Sequence, residues 1–436
     1  MKKLFPSLRL PVPVAILARI PASIWAVLVA SLAALAWIPT LLELARPSSD
    51  QVWERFGLTM ACQSQQFQLG WIGETASQQS FGAFTGSLPA IAVQWISCKI
   101  ALITGLDPLQ ALLIPGLLLT FILAELSCRL AGFRRFTSLA TAFLITTAPC
   151  SFSRVGHLSL AMLWTVIPGL LACHALWRAM AHRRRPLTLL GAGALASLLC
   201  LPSQEYYVFF VLLLLASSFA LLLLLATLRV TTIEALAAIV ARGLLFGIGF
   251  LAVILVLYAG KLAAVGLGSS QPPAFWSAPR YAIEQFQYGL LPFTWIIPPP
   301  WVAMVREGLE NAGIATVSES YFWSTGSFLI PIAWIVAIRT IAGDPSSAAA
   351  PGRHGLGRSD LRFFALLLTL TTFLGLFWMT MGGAGTLMAI LNPTLRSLNR
   401  FTAFEYGASV LMLMALLDRV ISRRQLKPWP AAGGES

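Results

Sequence analysis

Apolar runs of roughly twenty residues recur from one end of this chain to the other, each long enough to cross a hydrocarbon core of about 30 Å. A chain written this way can satisfy its backbone in lipid only as helices or as a closed barrel. Unbroken apolar runs, without the alternation of barrel strands, select helices. Of the 436 residues, 57% are hydrophobic and 11% charged, where a soluble domain carries about 25% charged residues. The expectation is an all-α polytopic membrane protein. Ten spans are predicted, near 22–45, 108–130, 134–152, 159–179, 186–202, 206–228, 243–264, 323–342, 362–382 and 402–420.

Charge sets the predicted orientation. A net charge of +13 suggests an anionic partner, but cytoplasmic loops of membrane proteins are basic in any case. The strongest such signal is RAMAHRRR at 178–185. With that loop inside, the RLAGFRR turn at 129–135, the N-terminal arm and the C-terminal tail also fall inside. Only nine of the 30 Lys and Arg then lie outside. The segment 86–105, GSLPAIAVQWISCKIALITG, carries Pro89, Gln94 and Lys99. It reads as an in-plane amphipathic stretch inside one long outer loop, 46–107. A second long outer loop covers 265–322, and a cytoplasmic linker, rich in Pro, Ser and Ala, covers 343–361. The N-terminus lacks a small-residue cleavage site and reads as an uncleaved first helix. The single membrane domain is placed in a bacterial cytoplasmic membrane with both termini inside.

Six cysteines show no CxxC spacing. Cys128, Cys173 and Cys200 fall in or at the ends of spans, as small apolar residues do. Cys62 and Cys98 share the first outer loop, where an oxidising compartment permits a disulfide.

With this topology, polar residues from distant parts of the chain fall on the outer side: Asp50, Arg154, His157, Glu205, Tyr206, Glu319, Arg396, Arg400 and Glu405. Ionisable groups at membrane depth are costly and mark function. Arg396 and Arg400 in NPTLRSLNRF lie where the positive-inside rule disfavours them. Their i, i+4 spacing puts both on one face of a helix, and guanidinium forks match phosphate. Snorkelling, or pairing with Glu405, is the plainer account. Arg154 and His157 in SRVGHLSLAMLW add a third guanidinium and an imidazole, which beside a phosphate would stabilise a leaving group. QEYYVFF sets Glu205 and Tyr206 at the mouth of a span, a composition that suits sugar hydroxyls and an interfacial aromatic belt equally. Asp50 in RPSSDQVWERF fits a general base towards an acceptor hydroxyl, and fits a helix N-cap as well. HExxH, Walker, GxSxG and Cys/His metal spacings are all missing. An ordinary transporter would call for internal repeats, which the sequence does not show.

In the order of these parts the chain resembles the GT-C glycosyltransferases that use polyprenyl-phosphate sugars. The matching parts are the first outer loop with Asp50, FGAFTGSLP…LITGLDP, RLAGFRR, RVGHLSLAMLW, QEYYVFF, ESYFWSTGSFL and LRSLNRF. The resemblance implies inverting transfer of a sugar from a polyprenyl-phosphate donor to a glycan, lipid or protein acceptor outside the membrane. Asp50 is then the catalytic base. Arg154, His157, Arg396 and Arg400 hold the donor phosphate, and Glu205, Tyr206 and Glu319 contact substrate. It implies a lipid bilayer as partner and no nucleic acid; a divalent metal is left open. The chain departs from the pattern in lacking an acidic pair in the first loop, which keeps a non-catalytic subunit that binds or translocates a lipid-linked glycan as the alternative.

Overall fold

The computed structural model describes residues 22–44, 88–152, 161–200, 205–228, 232–259, 329–342, 356–379 and 401–425, with a few single positions between them. These residues are helical, and no strand occurs among them. The helices are α1 (Ala22–Ala36), α2 (Ile38–Glu43), α3 (Leu88–Thr104), α4 (Pro108–Ala131), α5 (Arg135–Thr146) and α6 (Pro149–Phe152). They continue as α7 (Val166–Ala181), α8 (Pro186–Cys200), α9 (Glu205–Thr227), α10 (Ile233–Leu257), α11 (Leu329–Ala342), α12 (Arg358–Leu374) and α13 (Thr402–Gln425). Four of them are long and apolar enough to cross a bilayer: Pro108–Ala131, Tyr207–Thr227, Ile233–Leu257 and Arg358–Phe377. Shorter apolar helices include Val166–Ala181, Pro186–Cys200 and Leu329–Ala342. Val27, Leu32, Leu118, Leu224, Leu255 and Ile338 point outward. An apolar exterior of this kind belongs against lipid, and the protein is an all-α membrane protein.

Helix boundaries follow local chemistry rather than hydropathy alone. α4 starts at Asp107, whose carboxylate accepts the Leu109 N–H at 3.0 Å while the Asp107 N–H donates to the Gln110 side chain at 3.2 Å. Pro108 occupies the first helical position, where a missing N–H costs nothing. The same helix ends at Gly132 with φ +101, a left-handed cap that a Cβ would strain. α10 begins ten residues before its apolar window because Thr232 caps it, accepting the Ala235 N–H at 3.4 Å. Within the segment 86–105, Leu88–Thr104 form the continuous helix α3, packed against α4.

The closest helix pair is α8 with α10. A Cβ at Gly193 would stand 2.0 Å from the Phe246 carbonyl oxygen, and one at Gly249 would stand 2.1 Å from that of Leu190. Two glycines facing each other's backbone let these helices approach until their main chains touch, the means by which helices pack tightly in lipid.

One end of the bundle is held by two buried carboxylates, and this end carries Arg129, Arg134, Arg135, Arg178, Arg358 and Arg362. Asp418 of α13 accepts the Arg134 N–H at 2.7 Å, the Thr137 hydroxyl at 2.7 Å and the Leu356 N–H at 3.4 Å. Asp360 of α12 accepts His174 Nε2 at 2.9 Å and Arg178 Nη2 at 2.9 Å on one oxygen, and the Gly357 N–H at 2.7 Å on the other. The His174 ring stacks between Trp177 and Phe364. The basic turns predicted on one side of the membrane thus meet at one end of the bundle.

Candidate functional site

The opposite end gathers the flanks of the predicted motifs. Asp50, Arg154, His157, Glu319, Arg396 and Arg400 lie outside the described residues, as do the side chains of Glu205 and Tyr206. What the structure places is the chain on either side of them.

Leu44 comes before the Asp50 motif, and Arg55 is its next-to-last residue. Leu44 is fully buried in an apolar cluster with Trp37, Leu109, Leu112, Leu113, Ala161, Met162 and Trp164. Arg55 forms an ion pair with Asp107, the cap of α4. Phe152 and Ala161 stand on either side of the Arg154–His157 motif. Phe152 stacks on Trp37 with ring centroids 4.3 Å apart, and Ala161 is buried beside Leu44. Described residues on both sides of His157 and just before Asp50 thus share one apolar patch. Polar bonds pin that patch: Trp37 Nε1 donates to the Thr146 carbonyl at 2.9 Å, and Gln110 Nε2 donates to the Leu41 carbonyl at 2.8 Å. Buried polar donors such as these are kept only with a partner.

Cys62 and Cys98 form a disulfide, with S–S 2.01 Å and Cα–Cα 5.3 Å. It ties the first loop beyond Asp50 to α3, which itself packs on α4. The geometry falls within the ordinary range for such bonds. Cys128, Cys150, Cys173 and Cys200 are buried and outside any disulfide, as expected for the three that the apolar spans enclose.

The flanks of the other two motifs meet in a second cluster. Tyr207 follows Glu205 and Tyr206, and Phe401 follows Arg400. Tyr207 packs on Phe404 with centroids 6.0 Å apart, and Phe210 packs on Phe401 at 5.3 Å. The Tyr406 hydroxyl donates to the Leu144 carbonyl at 3.3 Å, joining the start of α13 to the end of α5. Gly169 and Gly407 let α7 and α13 close on each other, since a Cβ at Gly407 would stand 2.9 Å from both Leu170 and Val166. Thus α5, α7, α9 and α13 pack together at this end.

Glu405 lies in the first turn of α13 with 0% exposure. Neither of its carboxylate oxygens makes a hydrogen bond. The Thr372 hydroxyl of α12 adjoins it but also sits outside hydrogen-bonding geometry. The sequence reading offers Glu405 as a partner for Arg396 or Arg400, which lie outside the described residues; among the described residues no cation pairs with it.

The residues that local reading passes over are His174, Asp360 and Asp418. The one available signal was a charge inside an apolar run, in LMALLDRV. Among the described residues no cluster of His, Cys, Asp and Glu is arranged to hold a metal ion.

Compared with known proteins, the chain matches no family model, no curated protein and no solved structure.

Proposed function

We propose that this chain is a multi-pass glycosyltransferase of the cytoplasmic membrane. It moves a sugar from a polyprenyl-phosphate donor to an acceptor on the outer side. The observation that carries the reading is the convergence of motif flanks. Leu44, ahead of Asp50, and Phe152 and Ala161, on either side of Arg154 and His157, belong to one apolar patch. The flanks of Glu205 and Arg400 meet in the neighbouring cluster. Ten spans with both termini inside agree with the gathering of basic turns at the other end, and the Cys62–Cys98 disulfide suits an oxidising outer compartment.

In this reading Asp50 takes the proton of an acceptor hydroxyl. The hydroxyl oxygen attacks the anomeric carbon from the face opposite the phosphate, and the polyprenyl phosphate leaves with the C–O electron pair. Arg154, His157, Arg400 and Arg396 stabilise the charge that builds on that phosphate. Glu205, Tyr206 and Glu319 hold the sugar or the acceptor. The test is sugar transfer in proteoliposomes supplied with a polyprenyl-phosphate sugar. Asp50→Asn should lower turnover by two to four orders of magnitude, on the order of what a general base supplies, while insertion and accumulation stay normal. Unchanged transfer removes Asp50 as the base.

The first loop motif, RPSSDQVWERF, has no DE or DxD pair at Asp50, which favours one second reading: a non-catalytic subunit that binds or translocates a lipid-linked glycan. In that case Asp50→Asn is silent and Arg400→Ala alone weakens retention of the lipid.

A further inference from the structure

We infer that Glu405 and Thr372 form a binding site for a primary ammonium group. Glu405 is wholly buried, and both of its oxygens lack a hydrogen bond. Buried polar groups in folded proteins nearly always have partners, and a buried charge is kept only where it is met. The other buried carboxylates described obey that rule. Asp418 takes three donors and Asp360 takes a histidine, an arginine and a backbone N–H. Glu405 stands apart from them, at the end where the motif flanks meet. The described cations of that part of the chain are engaged elsewhere, with Arg55 on Asp107 and Lys99 over the Trp95 ring.

The surroundings select the class of cation. Two carboxylate oxygens and the Thr372 hydroxyl offer three acceptors, which matches the three N–H donors of R–NH3+. An alkali or alkaline-earth ion asks for about six oxygen ligands, more than these side chains provide. Phe401 lies one turn before Glu405, and Phe404, Phe210 and Tyr207 continue the aromatic cluster. Ring faces tolerate an ammonium group and attract it. A second observation lies on α12. Three residues past Thr372 the helix widens into a π-helical segment, Gly375–Met379, a local form that recurs at functional sites.

The source of the ammonium is either a free amine or an amino-substituted sugar, and one experiment separates them. Full-length protein in nanodiscs is titrated in low salt with methylammonium, glucosamine, N-acetylglucosamine or sodium chloride while Tm is followed. The expected result is a saturable rise in Tm with methylammonium or glucosamine, none with N-acetylglucosamine, and loss of the rise in Glu405→Gln. Glucosamine acting at tenfold lower concentration than methylammonium identifies an amino sugar; equal concentrations identify a simple amine. A rise with sodium alone, or equal behaviour of wild type and Glu405→Gln, overturns the site. Should Glu405→Gln fail to accumulate, Thr372→Val decides. It replaces a hydroxyl without a hydrogen bond by a near-isostere, so it should fold and bind the amine several-fold more weakly; undiminished binding overturns the site. No turnover is measured, so this result stands whether or not sugar transfer is found, and Asp50→Asn should leave the amine-induced rise in place.

Discussion

Asp418 has 0% exposure and three donors. A carboxylate in that position is stable because every acceptor site it uses is matched, and its removal strands the donors rather than freeing them. Each stranded buried donor costs about 1–3 kcal/mol. Asp418→Ala should therefore destabilise the protein by about 3–5 kcal/mol, read as a fall in Tm in detergent. Asp418→Asn, which keeps one carbonyl oxygen, should lose less. Asp360 and His174 make the complementary case. They are 186 residues apart in sequence, so no local pattern pairs them, and only the folded chain reveals that His174 is a structural residue. Glu405 was legible as polar and outward-facing from its place in LNRFTAFEY; that it lacks a partner was not.

At the scale of elements, the sequence reveals which segments are helical far better than where they start. Hydropathy sees apolar windows, whereas helix ends are set by caps such as Asp107 and Thr232, which are polar and lie beyond the window. The α8–α10 contact belongs to this scale too. A methyl group at Gly193 or Gly249 meets backbone, not a side chain that can rotate away. Gly249→Ala should push the helices apart at a cost of about 1–3 kcal/mol. The neighbouring Gly247, where a Cβ meets nothing within 4 Å, should accept Ala without loss. Comparing the two variants by thermal unfolding checks this, because helix propensity favours Ala equally at both positions.

For the whole molecule, described residues that flank widely spaced motifs meet in two clusters, while Asp50, Arg154, His157, Glu319, Arg396 and Arg400 lie outside the described residues. The fold class was legible because lipid admits so few architectures; the site was legible only as a face. Orientation can be tested through the disulfide. A membrane-impermeant maleimide added to intact cells should label Cys62 only after reduction, and Cys98, Cys128, Cys150, Cys173 and Cys200 should stay unlabelled because all five are buried. Replacing Cys62 and Cys98 by Ser should lower stability by about 3–4 kcal/mol, the range expected for a closed loop of this size.

The place of Asp418 also bears on how the protein is made. Its carboxylate lies on α13, yet it satisfies the entry to α5 and the chain just before α12. A ribosome delivers α5 some 280 residues before this acceptor. Until α13 has been made, the Arg134 and Leu356 N–H groups and the Thr137 hydroxyl cannot take the partner they have in the folded protein. The entry to α5 therefore reaches its final bonding only after α13 has joined the bundle.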